Sequence, residues 1–210
     1  SGKALMTLIN DILDFSQIEA GHLELDRHPF DLQELLDDVM TLMPIRVADK
    51  QIELHYHLDH PATLTLSGDS NRLRQVLFNL IGNAIKFTKR GEVTLLAEPQ
   101  SLTESEATIR FSITDTGIGI PQDRINRLFQ AFSQFDSSTS RQYGGTGLGL
   151  SISKGIVELM GGTMGGRSEE GVGSEFWFTL TFKRIHVAKS CERIAAEQVP
   201  MIKCTNVDPN

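Results

Sequence analysis

The stretch from Ser70 to Thr88, SNRLRQVLFNLIGNAIKFT, limits the possible folds more than any other. Leu73, Val76, Leu77, Leu80 and Ala84 recur at intervals of three and four. This spacing predicts a helix with one face buried in a core, and Asp69 just before it is a natural N-cap. The same helix carries Asn79, Asn83 and Lys86. At about 100° per residue these three form one narrow polar stripe bordering the apolar face. Asparagine favours caps over helix interiors, and Gly82 beside the stripe spares bulk at some cost in helix stability. Such a border is either a wet groove or a surface facing a ligand.

A buried helix needs a partner surface, and the flanking sequence supplies strands. IELHYHL (52–58), EVTLLAE (92–98), ATIRFSITD (107–115) and SEFWFTLTF (174–182) alternate or run apolar like strands, and TLTL (63–66) pairs nearby. HLELD (22–26) also alternates. Further helices are predicted after Asp31 (with Leu35, Leu36, Val39 and Leu42), at 122–132 and at 147–160, the last ending at Gly161-Gly162. The order of elements implies an α/β (α+β) two-layer sandwich, a mixed sheet covered by helices. One long helix precedes it, with Leu5, Leu8, Ile12, Phe15 and Ile18 on one face and Gly21 closing it. That stripe belongs to a bundle seam or dimer, or packs on the main domain.

Composition narrows the function classes. Lys+Arg 20 against Asp+Glu 27 gives a net charge of −7, against broad nucleic-acid binding. No apolar run approaches the roughly 20 residues of a membrane helix. Cys191 and Cys204 are too few for a disulfide framework, and a reducing compartment is the simpler expectation.

Three further stretches bear on chemistry. DTGIGIP (115–121) follows an apolar strand. Either it is a plain turn, or Asp115 offers a carboxylate where glycine backbone lets a flat ligand approach. An ionised carboxylate only accepts hydrogen bonds, which suits an exocyclic amine such as adenine N6. YGGTGLGLSI (143–152) is a glycine loop entering a helix. It is either a hinge or a phosphate site built from backbone amides, and it matches neither the Walker nor the dinucleotide fingerprint. Between them, RLFQAFSQFDSSTSRQ (127–142) reads as a flap carrying Arg141. HYHLDH (55–60) places His55 and His57 on one strand face, read as a solvated strand rather than a metal site.

In this order the stretches resemble the catalytic and ATP-binding domain of sensor histidine kinases, a member of the Bergerat-fold ATPase group with gyrase B, Hsp90 and MutL. NLIGNAIKFT resembles the family's N box, DTGIGI its G1 box, LFQAFSQ its F box, GGTGLGLSI its G2 box and GVGSEFWFTL its last glycine box. FSQFDSSTSRQYGGTGLGL is most similar to the hybrid kinases, whose chains continue into a receiver domain. The resemblance implies residues 1–21 as the second helix of the dimerisation and phosphoacceptor hairpin, 22–183 as the catalytic ATP-binding domain and 184–210 as a linker.

It also implies roles. Asn83 would ligate Mg²⁺ through its amide oxygen, and Lys86 would contact phosphate. Asp115 would hold adenine N6, with Gly117 and Gly119 admitting the base and Ser174 adding a contact. Phe132, Arg141, Gly145, Thr146, Gly147, Leu148 and Gly149 would form the lid over the triphosphate. Asn79 stands where the hydrolysing relatives carry a glutamate general base. An amide there cannot take up a proton at neutral pH, so the expected chemistry is phosphoryl transfer to a protein nucleophile with slow hydrolysis. The alternatives are an ATP-hydrolysing relative of the same fold and a catalytically silent regulatory or dimerisation module.

None of the six histidines has the flanking pattern of the family's phosphoacceptor. The expected protein-histidine kinase therefore takes its phosphoacceptor helix, in cis or in trans, from outside this chain. Other implied partners are ATP, a response-regulator receiver domain and a second copy in a full-length homodimer. The expected location is cytoplasmic, with membrane anchoring of the full-length protein left open.

Overall fold

The computed structural model describes residues 2–43, 50–59, 64–125, 128–129, 131 and 147–185. Five helices are described: α1 (Gly2–Glu19), α2 (Leu32–Leu42), α3 (Ser70–Phe87), α4 (Gln122–Ile125) and α5 (Gly149–Leu159). Seven strands accompany them: β1 (His28–Asp31), β2 (Gln51–Leu58), β3 (Thr65–Gly68), β4 (Arg90–Leu102), β5 (Glu106–Asp115), β6 (Thr163–Glu169) and β7 (Gly173–Arg184).

The strands form one mixed sheet in the order β1-β3-β7-β5-β4-β2, with β6 also paired to β7. β2 runs parallel to β4 and every other pairing is antiparallel. Alternation then decides the layers. Val93, Leu95 and Ala97 of β4, Ile109, Phe111 and Ile113 of β5, and Phe176, Phe178 and Leu180 of β7 are all buried. They share one face because side chains repeat with period two. Phe111 and Phe178 stack at its centre, ring centroids 4.8 Å apart and 15° from parallel. The opposite face carries Arg110, Glu175 and Trp177, with the Arg110 guanidinium 4.4 Å from the indole centroid.

Helices α2, α3 and α5 cover the apolar face. α3 contributes Leu73, Val76, Leu77, Leu80, Ile81, Ala84 and Ile85, all buried, as its spacing requires. Its N-terminus carries its own cap and its C-terminus is capped from a distant segment. The Asp69 carboxylate accepts from the backbone N–H of Asn71, Arg72 and Asp26 at 3.0–3.1 Å. At the other end Lys50 donates to the carbonyls of Ile85, Lys86 and Thr88 at 2.5, 3.2 and 3.2 Å. These are orphan carbonyls of the last turn, where a cation also suits the helix dipole.

α1 lies against this layer. Asp14 accepts from Arg72 at 3.0 Å and from Gln75 at 2.7 Å, and Ile18 packs on Gly155 of α5. Its outward residues Met6, Ile9, Ile12 and Leu13 are exposed. The expected stripe is thus split, Phe15 and Ile18 packing inward while Ile12 is exposed; the side chains of Leu5 and Leu8 lie outside the described residues.

Three segments differ from, or add to, what their sequence pattern suggests. HLELD is not a strand: the chain reaches the sheet only at His28, and the Asp26 N–H is taken by the Asp69 side chain. The helix expected over 122–132 is helical at Gln122–Ile125, with Leu128 and Phe129 in a turn and 126–127, 130 and 132 outside the described residues. β6, for which the sequence offered no assignment after Gly161-Gly162, is a strand beside β7.

Candidate nucleotide site

The polar stripe of α3 meets the start of α5, and the end of α3 meets the loop after β5. Asn79, Asn83 and Lys86 are each half-buried on α3. Asn79 donates through Nδ2 to Ser153 Oγ of α5 at 2.8 Å. Gly149, the first residue of α5, abuts the other side of the same amide: a Cβ there would sit 2.4 Å from Asn79 Oδ1. Asn83 follows one turn later. Burial pushes the Lys86 ammonium below the ordinary lysine range, and its Nζ lies 4.8 Å from the Phe87 ring centroid.

Asp115 ends β5 and is 6% exposed. Antiparallel pairing sets it opposite Ser174 at the start of β7. Its Oδ1 accepts from the Gly117 N–H at 2.8 Å. Burial pushes its pKa up, while hydrogen bonds from the Gly117 N–H and from the Ser174 N–H and hydroxyl oppose that rise. Burial favours the neutral acid and the donors favour the carboxylate.

The loop after Asp115 is held against both neighbours. Ile118 N donates to Phe87 O at 3.3 Å, tying it to the end of α3. On the other side Gly171 N donates to Ile118 O at 2.8 Å. Gly119 has φ +64°, and a Cβ there would come within 1.9 Å of Glu169 O. Only glycine tolerates both the left-handed backbone and that approach.

The structure sets Asn79 against Gly149 and pairs Asp115 with Gly117 and Ser174; Asn83 and Lys86 share the stripe with Asn79, the Gly117–Gly119 loop is tied to the end of α3, and Gly147 (φ +70°) and Leu148 lead into α5. Phe132, Arg141, Gly145 and Thr146 lie outside the described residues. His55 and His57 lie on the opposite face of the sheet from the core. Among the described residues no cluster of His, Cys, Asp or Glu has the makings of a metal site.

Sequence reasoning missed three side chains that support the site: Lys50, Ser153 and Ser168. Ser153 had a signal, since it lies four residues past Gly149 and one turn of helix places it beside the same surface. Lys50 and Ser168 had none without the tertiary pairing.

A mixed sheet layered on one face by helices, with a buried carboxylate at a strand end and a glycine turn running from it to the end of an amide-bearing helix, suits a nucleotide-binding domain. A sequence profile of the histidine kinase-, DNA gyrase B-, and HSP90-like ATPases matches residues 68–184, and the chain belongs to that family. It is 51% identical over 180 residues to the sensor protein GacS of Pseudomonas syringae pv. syringae, covering 86% of this chain and 20% of that protein. Hybrid signal transduction histidine kinase B of Dictyostelium discoideum is 42% identical over 180 residues, covering 86% of this chain and 9% of that one. The crystal structure of full-length ShkA in complex with AMPPNP superposes with a TM-score of 0.75 at 39% identity, over 88% of this chain and 37% of ShkA. The domain is thus an ATP-binding catalytic domain of the sensor histidine kinase type, and the chain spans about a fifth of GacS. Among its described residues no helix is long and apolar enough to cross a membrane.

Proposed function

We propose that this domain binds ATP at Asp115 and donates its γ-phosphoryl group to a histidine supplied from outside the chain. The observation that carries this reading is the buried Asp115, opposite Ser174 and next to the Gly117 turn, one loop away from the polar stripe of α3. As a carboxylate it accepts from the adenine exocyclic amine and opposes the carbonyl oxygen that guanine presents there. Lys86 contacts phosphate as a point charge. In the transfer, an imidazole nitrogen forms a bond to the γ-phosphorus while the bond to the β–γ bridging oxygen breaks, leaving ADP. Catalysis of this kind is largely positioning and electrostatics.

The donor set fits Mg²⁺: Asn83 offers an amide oxygen on a rigid helix, and a hard cation completes its shell with phosphate oxygens and water. The ion neutralises charge on the phosphates when bound. Asn79 supports transfer over hydrolysis. Its amide takes up no proton at neutral pH, and it is engaged with Ser153 at 2.8 Å and packed on Gly149. Arg141, Phe132, Gly145, Thr146, Gly147, Leu148 and Gly149 belong in this reading to the lid over the triphosphate, and Ser174 to the adenine contact.

By the same reading residues 1–21 are half of the dimerisation hairpin, 22–183 the catalytic unit and 184–210 a linker. The exposed Met6, Ile9, Ile12 and Leu13 suit a partner helix of a hairpin and a homodimer. The hybrid architecture of one relative supports a receiver domain as the downstream partner. The test is calorimetric titration with ATP and Mg²⁺, together with phosphate release. Saturable binding lost in Asp115→Asn, with release far slower than in a hydrolysing ATPase, is the expected outcome. No binding at millimolar ATP, or brisk release by the domain alone, overturns the reading.

A further inference from the structure

The last turn of α3 leaves a run of carbonyls that helix geometry alone does not satisfy, and each of them has a partner. Ala84 O takes the Thr88 N–H at 3.0 Å and the Thr88 hydroxyl at 2.8 Å. Ile85, Lys86 and Thr88 offer their oxygens to Lys50 Nζ. Phe87 O, the one that Lys50 passes over, takes the Ile118 N–H at 3.3 Å. Gly117 is pressed on the same atom, since a Cβ there would lie 2.6 Å from Phe87 O. One turn of chain therefore bears both Lys86 and the loop that leads away from Asp115. The far side of that loop is tied separately, where the Ile120 N–H donates to Ser168 Oγ at 2.8 Å.

Topology brings Lys50 to this turn. It directly precedes β2, and the parallel pairing of β2 with β4 sets Gln51 opposite Arg90, where β4 begins just after α3 has ended. An ammonium has three protons to donate and no acceptor. Here the three carbonyls at 2.5, 3.2 and 3.2 Å use all of them, which leaves none for a nucleotide phosphate. Lys50 is thus part of the frame, and Lys86 is the lysine of this turn that serves a ligand. Bonds from a charged donor are stronger than neutral ones, and a cation suits the negative end of the helix dipole.

We propose that Lys50 is a positioning residue for ATP binding: its ammonium fixes the turn from which both Lys86 and the Gly117–Ile118 loop hang, and so sets the phosphate contact against the base site. The proposal rests on the reading of Lys86 as the phosphate contact. Lys50 itself touches no ligand. Without the ammonium, the carbonyls of Ile85, Lys86 and Thr88 turn to water, the end of α3 frays, and both attachments shift together. The apolar face of α3 remains packed, so the fold survives and the site bears the loss.

The test is a double-substitution cycle, read by calorimetry with ATP and Mg²⁺ on the 210-residue chain. The temperature is one at which every variant keeps its near-ultraviolet circular dichroism. We expect Lys50→Met to weaken ATP about tenfold, and Lys86→Ala to weaken it about tenfold. In the Lys86→Ala background, Lys50→Met should cost only about threefold more, because part of what Lys50 holds has been removed. A lysine that serves stability alone leaves the affinity of the folded variant unchanged, and that result overturns the proposal. Should the methionine variant not fold, Lys50→Gln, neutral and shorter, makes the same comparison. If Lys86→Ala alone binds ATP as tightly as wild type, the phosphate assignment fails and this proposal with it. If Lys86→Ala weakens ATP but the two losses simply multiply, the role of Lys50 alone is removed.

Discussion

Keeping Asp115 buried as a carboxylate costs the fold stability. Its folded pKa lies above the unfolded value because burial disfavours the charge. Its contribution to folding is therefore present below the ordinary carboxylate pKa, near 4, and is lost as pH rises through the raised value. Asp115→Asn is accordingly expected to abolish ATP binding while raising the urea midpoint at pH 7, and the gain should close toward pH 4. Unfolding curves at both pH values, beside the ATP titration, check this. ATP binding by wild type should likewise fade in acid at a higher pH than an ordinary carboxylate would dictate, because the protonated group presents a donor to the adenine amine. Asp115 and the asparagines were legible in the sequence because their types conflict with their surroundings. Ser168 was not, since a serine in a glycine-rich stretch conflicts with nothing until β6 is paired with β7.

At the scale of the element, α3 shows how a local cap at one end and a distant one at the other hold a site-bearing helix. Asp69 joins three backbone donors and is 4% exposed. Asp69→Ala is expected to cost about 1–2 kcal/mol in urea unfolding. Lys50→Met removes the donor shared by three carbonyls at the end carrying Lys86, with an expected loss of about 1 kcal/mol and a weaker ATP titration. The helix, β5 and β7 were readable from apolar spacing alone. β6 was not, for a reason of packing. A Cβ on Gly165 would lie 2.5 Å from the Trp177 ring, and one on Gly166 would lie 2.8 Å from the Phe176 ring. The strand is poor in strand-forming residues because its neighbour's aromatic rings fill the space. The bulky run FWF in β7 was the available hint that something small must lie beside it.

At the scale of the molecule, α5 is wedged between α1 and α3. Asp14 binds Arg72 and Gln75, and Ile18 fills the space above Gly155. Removing the acceptor in Asp14→Ala is expected to speed amide exchange along α1 about tenfold while leaving ATP affinity unchanged, as hydrogen exchange and calorimetry would read. The two-layer architecture was legible, but this docking was not, because a stripe such as that of α1 serves a bundle seam as readily as a domain surface. The contact between Asn79 and Gly149 carries the last consequence, and it concerns descent. A glutamate at position 79 is one methylene longer than the asparagine whose oxygen already lies where a Gly149 Cβ would collide, and it has no proton to give Ser153. A single exchange at that position therefore disturbs both contacts at once, so the step from an amide to a general base at 79 calls for a companion change nearby.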